Sequence, residues 1–395
     1  MSKVYKLAIP WNNQKGKNES FILLIPNVML LLHFIQNHLF MKKIIIILFF
    51  CFTGFLGFTQ SKIFSAIQVG DLELITKYIS LNKDLNVLYK ATATDEYTQK
   101  KIIYSFEVLE YAANHGKEEV VKLLLENRNK FNNPQASLNK AFAASISKGN
   151  MGVIKLLHDA GADINSVCKI CYGQTAIQTA LEYNNFDLYS YLLVNNADLN
   201  VRNNFGRNLL HSVAHTRNIE IAKQLLEKGL DINTQDKDGA TPLIYAANNG
   251  DFEMFKLFVD KGATIAIKEN DGTDVLMNTV EKGNLEIINF LLDKGCDVNI
   301  MNNDKDTPLI FAVEEKQLPT VKLLISRGAD VNIINSKGET ALLWAIWNVD
   351  VETAKWLISN GADLKLIDYL KPAKKYIKDQ VFIEYLEEKV KGLGN

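Results

Sequence analysis

From residue 61 to residue 386 the chain alternates between two kinds of short apolar stripe, separated by polar, turn-rich stretches. Residues 236–268, DKDGATPLIYAANNGDFEMFKLFVDKGATIAIK, show both kinds. Thr241 supplies an N-cap oxygen, and Pro242 fits the first turn, where its missing N–H costs nothing. Leu243, Ala246 and Ala247 then form one apolar face of small residues, which lets a partner helix approach closely. Asn249-Gly250 breaks this helix. A second helix is predicted over about 251–261, with Phe252, Phe255, Leu257, Phe258 and Val259 at helical spacing and Gly262 as its C-terminal stop. The stretch from Ala263 to Gly272 reads as a polar loop.

The same pattern returns every 33 residues. Gly173, Gly206, Gly239, Gly272 and Gly338 keep that step, with Lys305 standing where the series calls for glycine. Gly229, Gly262, Gly295, Gly328 and Gly361 form a second series. An apolar pair forms the third: Leu225–Leu226, Phe258–Val259, Leu291–Leu292, Leu324–Ile325 and Leu357–Ile358. Three markers in register fix the phase. Degenerate but phased units precede these in residues 61–79, 107–127 and 139–165, and KPAKKYIKDQVFIEYLEEK closes the series as a polar cap, for ten helix pairs in all. From Gly70 to Gly116 is 46 residues, so the extra ones around YKATATDEYTQKK predict a long exposed finger or loop. Two more residues are inserted near SVCKICYG. Lys305 predicts a turn of different shape from its neighbours. No pair can bury its apolar face alone, so the units must stack.

TPLIYAANNG, LLISRGADVN at 323–332 and GRNLLHSVAH, with its His211, resemble the ankyrin repeat family over roughly residues 61–386. The resemblance implies an all-α solenoid of helix–turn–helix units with β-hairpin fingers. It divides residues 60–395 into a first repeat with its insertion (61–101), regular repeats (102–367) and a cap (368–395). It also implies that a protein partner is bound by the finger tips and the exposed side of each first helix. On this sequence the tips include Tyr172, Phe205, Arg207, Lys237, Asp238, Asn270, Asp271, Asn303, Asp304, Ser336 and Lys337. The groove position holds Glu182, His215, Asn248, Glu281, Glu314 and Trp347. Aromatic and Arg side chains dominate binding energy where they are exposed. The expected partner-binding set is therefore Tyr172, Phe205, Arg207, His215, Asn248, Glu281, Glu314 and Trp347, as a finger patch and a separate groove patch. Trp344 is expected beneath the groove.

Composition adds limits. The chain has 395 residues and a net charge of −1; residues 1–60 contribute six Lys and one Glu, leaving 38 basic against 44 acidic residues in the rest. Such a body has no electrostatic reason to bind nucleic acid. No phosphate-cradling loop, nucleophile elbow or HExxH is present, so the expectation is a non-enzymatic protein without cofactor or small-molecule substrate. Four cysteines are too few for a disulfide scaffold of this size. Cys168 and Cys171 read as a local disulfide, with a redox pair or half a zinc site as the alternative. His211 and His215 have metal-ligand spacing, but His211 occupies a structural position in the resembled family. His158 reads as half-buried, and Cys296 as a small packing residue.

Residues 41–59, MKKIIIILFFCFTGFLGFT, have the basic start, apolar run and small residues of a bacterial signal peptide, and the first repeat follows at once. The expectation is synthesis from Met41, cleavage near Thr59, and a mature protein in the periplasm or outside the cell. Residues 1–40 then read as a spurious extension. A membrane is involved only if the segment stays uncleaved. Cys51 follows Phe49-Phe50, which argues against a lipoprotein site.

Overall fold

The computed structural model describes residues 5–12, 18–25, 62–94, 101–168 and 172–392. The signal-like segment at 41–59, residues 95–100 of the predicted long finger and Cys171 lie outside them. Two compact units are present: residues 1–65 with 88–106, and residues 66–87 with 107–395. In the first, β1 (Tyr5–Asn12) and β2 (Asn18–Ile25) pair antiparallel, with Tyr5 opposite Ile25. The predicted long finger is a second two-stranded sheet, β3 (Leu88–Thr94) with β4 (Lys101–Glu107). Tyr89 lies between Phe64 and Phe106, its ring 5.4 Å and 6.4 Å from theirs.

The second unit is a row of helix pairs. After α1 (Lys62–Val69), which runs into it from the first unit, come α2 (Leu72–Ser80), α3 (Val108–Asn114), α4 (Glu118–Glu126), α5 (Pro134–Ile146), α6 (Met151–Asp159), α7 (Ala176–Glu182) and α8 (Phe186–Val194). The regular part holds α9 (Leu209–Thr216), α10 (Ile219–Glu227), α11 (Pro242–Asn248), α12 (Phe252–Asp260), α13 (Val275–Lys282) and α14 (Leu285–Asp293). It continues through α15 (Pro308–Glu314), α16 (Leu318–Ser326), α17 (Ala341–Trp347), α18 (Val351–Ser359), α19 (Leu370–Tyr376) and α20 (Gln380–Gly392). From α7 onward each odd-numbered helix packs on the next odd-numbered one, so first helices form one layer, and α10 to α20 lie behind them. Among the described residues no helix is long and apolar enough to cross a membrane.

Local chemistry sets the boundaries. Thr241, Thr307 and Thr340 cap first helices, each hydroxyl accepting from the backbone N–H three residues on. Asn185, Asn218, Asp251, Asn284 and Asp350 do the same for second helices. α10, α12, α14 and α18 end with a left-handed glycine, and α8 with a left-handed Asn196 at φ +60°; at Gly262 φ is +93°, and Ala263 N–H reaches back to Phe258 O at 2.9 Å. The small-residue face is buried as predicted, with Ala246-Ala247, Ala312-Val313 and Ala345-Ile346 all fully enclosed. Of each apolar pair on the second helix only the first member is fully enclosed. Leu225, Phe258, Leu291, Leu324 and Leu357 are buried, whereas Leu226, Val259, Leu292, Ile325 and Ile358 are half-buried.

Polar groups tie successive units together. Asp231 Oδ1 accepts from Asn233 N–H at 2.9 Å, and Asn233 Oδ1 accepts from Thr264 N–H of the next unit at 2.8 Å. Asn299 binds Asp330 N–H at 2.7 Å, and Asn332 binds Asp363 N–H at 2.7 Å, in the same way. The ladder skips one rung, where Ala266 replaces the asparagine.

Among the described residues of the second unit one finger is a strand pair, β5 (Val167–Cys168) with β6 (Gln174–Thr175). The later fingers are tight turns rather than full hairpins. In each, an Asp, Asn or Glu backbone N–H bonds the carbonyl four residues on, as Asp236 does to Ala240 at 2.9 Å, and a turn bond closes behind it, Gly239 N–H to Asp236 O at 3.1 Å. The expectation for Lys305 fails. Its φ is +60°, beside +84° at Gly272 and +81° at Gly338, and its N–H closes the same turn onto Asn302 O at 3.0 Å. The finger-to-finger bond from Asn303 N–H to Asp271 O, 2.9 Å, and the side-chain turn of Asn302 hold the conformation against the residue's own preference.

Two stability outcomes follow. Leu291 is fully buried between units, so Leu291→Ala lowers stability by about 2–5 kcal/mol in urea titrations. An unchanged midpoint would show that this position is outside the core. A left-handed L-residue costs about 1–2 kcal/mol, partly offset by the larger unfolded-chain entropy of glycine, about 0.4–1 kcal/mol. Lys305→Gly therefore raises the urea midpoint slightly, and a lower midpoint would mean that the Lys305 side chain contributes more than its backbone costs.

Candidate functional site

The fingertips form a continuous edge. Asn204 N–H bonds Tyr172 O at 2.9 Å, Lys237 N–H bonds Phe205 O at 2.8 Å, Asn270 N–H bonds Asp238 O at 2.9 Å, and Ser336 N–H bonds Asp304 O at 2.8 Å. Most of the predicted tip residues thus spend a backbone group on the neighbouring finger. Their side chains, Lys237, Asp238, Asp271, Asp304 and Lys337 among them, remain as the edge's chemistry.

At the N-terminal end of that edge the predicted finger patch is a packed stack. The Tyr172 and Phe205 rings lie 5.3 Å apart, and the Arg207 guanidinium sits 4.9 Å from the Phe205 ring centre and 5.0 Å from that of Tyr245. Arg207 Nε bonds Asp236 Oδ2 at 3.2 Å, and the Tyr245 hydroxyl donates to the same oxygen at 2.9 Å. The Asp236 side chain is 1% exposed, so its charge is sustained by these two donors and by the N–H groups of Asp238 and Ala240 on Oδ1, each at 3.0 Å. Burial, the largest cause, pushes the Tyr245 hydroxyl up from its ordinary value. Tyr172 holds φ +56°, a strained state for an aromatic residue. Phe205 and Arg207 are half-buried. Tyr172, Phe205 and Arg207 do come together, but with Asp236 and Tyr245, which sequence reasoning missed. A signal was present: Tyr245, Asn278, Phe311 and Trp344 stand at successive 33-residue steps, one turn before the groove position.

His211 is fully buried in the same cluster, edge-on to Tyr245 at 5.2 Å. Its Nε2 reaches Ala240 O of the next unit at 3.1 Å, and its Nδ1 faces Asn208 N at 3.2 Å and Asn208 Oδ1 at 2.7 Å. A neutral ring with its proton on Nε2 satisfies the first two contacts. Burial pushes its pKa down to about 4.

The groove column runs differently. Glu182, His215, Asn248 and Glu281 are half-buried, while Glu314 and Trp347 are exposed. Asn248 Oδ1 is enclosed without a hydrogen bond. Trp347 ends α17 with 37% of its surface exposed and meets Trp344 edge-on at 5.6 Å. Trp344 lies half-buried beneath it, as expected, its Nε1–H enclosed and without an acceptor. Burial chiefly, with Glu315 and Asp306 adding, raises the Glu314 pKa against the opposing Lys337.

Cys168 is 6% exposed and disulfide-bonded; Cys171 lies outside the described residues, and so does the expected pairing. Cys296 is a half-buried free thiol whose pKa burial pushes up to about 11, consistent with packing rather than reactivity. His158 Nδ1 lies 2.7 Å from the Tyr191 hydroxyl of the following unit. Among the described residues no cluster of three or more His, Cys, Asp or Glu is placed to hold a metal ion.

A family model described as ankyrin repeats (3 copies) matches residues 109–203, 141–236, 177–269, 210–302 and 276–368. The chain belongs to the ankyrin repeat family. No curated protein gave a significant match. The matches stop short of the pairs α1–α2 and α19–α20, yet both are built as helix pairs. Ankyrin repeats generally mediate protein–protein binding, and the family is typically non-enzymatic.

His211 gives this ankyrin stack a pH dependence. The unfolded chain binds a proton near the ordinary value of 6.5, the folded chain only near about 4. Stability is therefore complete above about 6.5 and is lost as pH falls, fully so below about 4. At about 1.4 kcal/mol per tenfold difference in proton affinity, the loss is about 3 kcal/mol. In urea titrations at pH 7 and pH 4, His211→Gln should lack that component, narrowing its deficit to the wild type at low pH. A deficit independent of pH would contradict it.

Proposed function

We propose that this ankyrin protein is an exported, non-catalytic scaffold that binds a partner protein through the inner layer of first helices and the finger edge. The observation that carries this reading is Trp347, an indole left 37% exposed at the groove position that ends α17, while Tyr245, Phe311 and Trp344, one turn before that position, are half-buried. A large exposed aromatic flanked by polar positions is the composition of a binding hot spot. Export is supported by the segment at 41–59, which has the character of a signal and ends where the first helix begins, α1 at Lys62. The compartment proposed is the periplasm or the cell exterior. Such a compartment suits the disulfide at Cys168. With Cys171 as partner, the bond would staple the inserted finger; the low exposure of Cys168 favours that over a redox pair.

Two measurements test this. Intact mass of protein recovered from the native host should show a chain beginning near Gln60; a species retaining residues 42–58 refutes cleavage, and a cytosolic species refutes export. Affinity capture from the native envelope should then be repeated with Trp347→Ala and Phe205→Ala. Loss of more than about 1 kcal/mol of partner affinity from at least one, at unchanged melting temperature, is the expected result. Phe205 stacks on Arg207, so Trp347→Ala is the cleaner variant. Full retention by both would refute the inner-face reading.

A further inference from the structure

We propose that the stretch of the inner face spanning α13 to α17 is a cleft for an extended segment of the partner carrying Lys or Arg at every third position. This rests on the reading that the inner face binds protein. Three observations name the occupant.

The floor is aromatic. Phe311 and Trp344 are half-buried one turn before the groove position, and Trp347 stands exposed at it, 5.6 Å from Trp344. An indole face in solvent attracts a cationic side chain, and more strongly when water is excluded.

The rim is acidic. Glu281, Glu314 and Glu315 come from the ends of α13 and α15, and Asp306 and Glu339 from the fingers. Asn335 Nδ2 donates to Asp306 Oδ1 at 2.7 Å and to Glu339 Oε2 at 2.9 Å, which fixes the orientation of both finger carboxylates. The cations on the same segments are Lys337, which opposes Glu314, Lys282, already paired with Glu281 at 2.5 Å, and the exposed Lys305 and Lys316, next in the chain to Asp306 and Glu315. The finger patch around Phe205 offers no comparable charge, because Arg207 and Asp236 neutralise each other at 3.2 Å.

The spacing is set by the stack. Neighbouring packed helices lie about 8–10 Å apart, and an extended chain in the polyproline-II conformation, with three residues per turn and a rise of about 3.1 Å per residue, returns every third side chain to one face. A cation every third residue therefore meets one unit per step: Glu281, Glu314, then Trp347.

The test uses the full mature chain and three labelled 12-residue peptides of repeating Arg-Ser-Gly, Glu-Ser-Gly and Ser-Ser-Gly, with anisotropy and tryptophan emission as readouts at low salt. The Arg peptide should bind at least about tenfold more tightly than either other peptide. Trp347→Ala should weaken it about fivefold or more, and Glu314→Gln about threefold. Glu286→Gln removes an exposed carboxylate on α14, away from the cleft, and should leave affinity unchanged. No preference for the Arg peptide, or an equal loss from Glu286→Gln, overturns the proposal, the second by showing diffuse attraction. Glu314→Gln changes only an exposed side chain, so the test stands if Trp347→Ala fails to fold. If the native partner needs Trp347 while the Arg peptide does not bind, only the partner chemistry is wrong. If the native partner is indifferent to Trp347, the inner-face reading itself falls.

Discussion

Everything in this molecule's repeat body depends on one constraint: no helix pair closes its own core. Apart from α5 and α20, with 13 residues each, first helices of seven or eight residues and second helices of nine are too short to hold alone. Ala246, Ala247, Phe255 and Phe258 are fully enclosed only because neighbouring units lie against them. The same step that buries these residues sets the finger-to-finger bonds and the Asp-x-Asn rungs, since both join groups about one repeat apart. Core, finger edge and inner face are thus three readings of one spacing, and a slip of register would damage all of them together.

Within that frame the two halves of the inner face use their polar groups differently. Around units α9 and α11 the charges are consumed internally. Asp236 is surrounded by Arg207, the Tyr245 hydroxyl and two backbone N–H groups, and His211 bridges to the next unit through Ala240 O. Removing any one partner would leave a buried group unsatisfied, so this region is committed to holding the stack. Around α15 and α17 the carboxylates outnumber their cations, Glu314 is raised partly by like charges, and an indole remains in water. Residual electrostatic stress and exposed aromatic area are what a partner can relieve.

Most of the fold was legible in the sequence because its signals are local and repeated. Thr241-Pro242, Asn249-Gly250 and Gly262 mark helix ends by capping and backbone preference, and six repetitions removed the ambiguity of any single one. Lys305 misled for the same reason. Its own preference opposes the left-handed state, but the side-chain turn of Asn302 and the finger-to-finger bond from Asn303 N–H to Asp271 O outweigh it. The predicted tip residues stand on the finger edge and the predicted groove residues at the ends of first helices, yet the sequence did not separate stacked from available side chains. Tyr172, Phe205 and Arg207 looked like free contact residues until Asp236 and Tyr245 were seen to engage Arg207. That engagement runs between units, about a repeat away in sequence, and leaves no trace in a single window.

A stack with nearest-neighbour contacts also localises consequences. Changes in the inserted finger or near Cys168 are several units from Trp347 and reach it only through every intervening interface. The cap is different. α17 packs directly on α19, and the Thr340 hydroxyl that caps α17 shares a 3.0 Å hydrogen bond with the buried Tyr369 hydroxyl at the entrance to α19. Fraying of the last pair would loosen the N-terminus of the helix whose other end presents Trp347. By linkage, a partner seated on Trp347 must stabilise the cap as much as an intact cap favours the partner. The exposed indole therefore lies on the last fully sandwiched first helix, where binding and the closure of the solenoid act on one element.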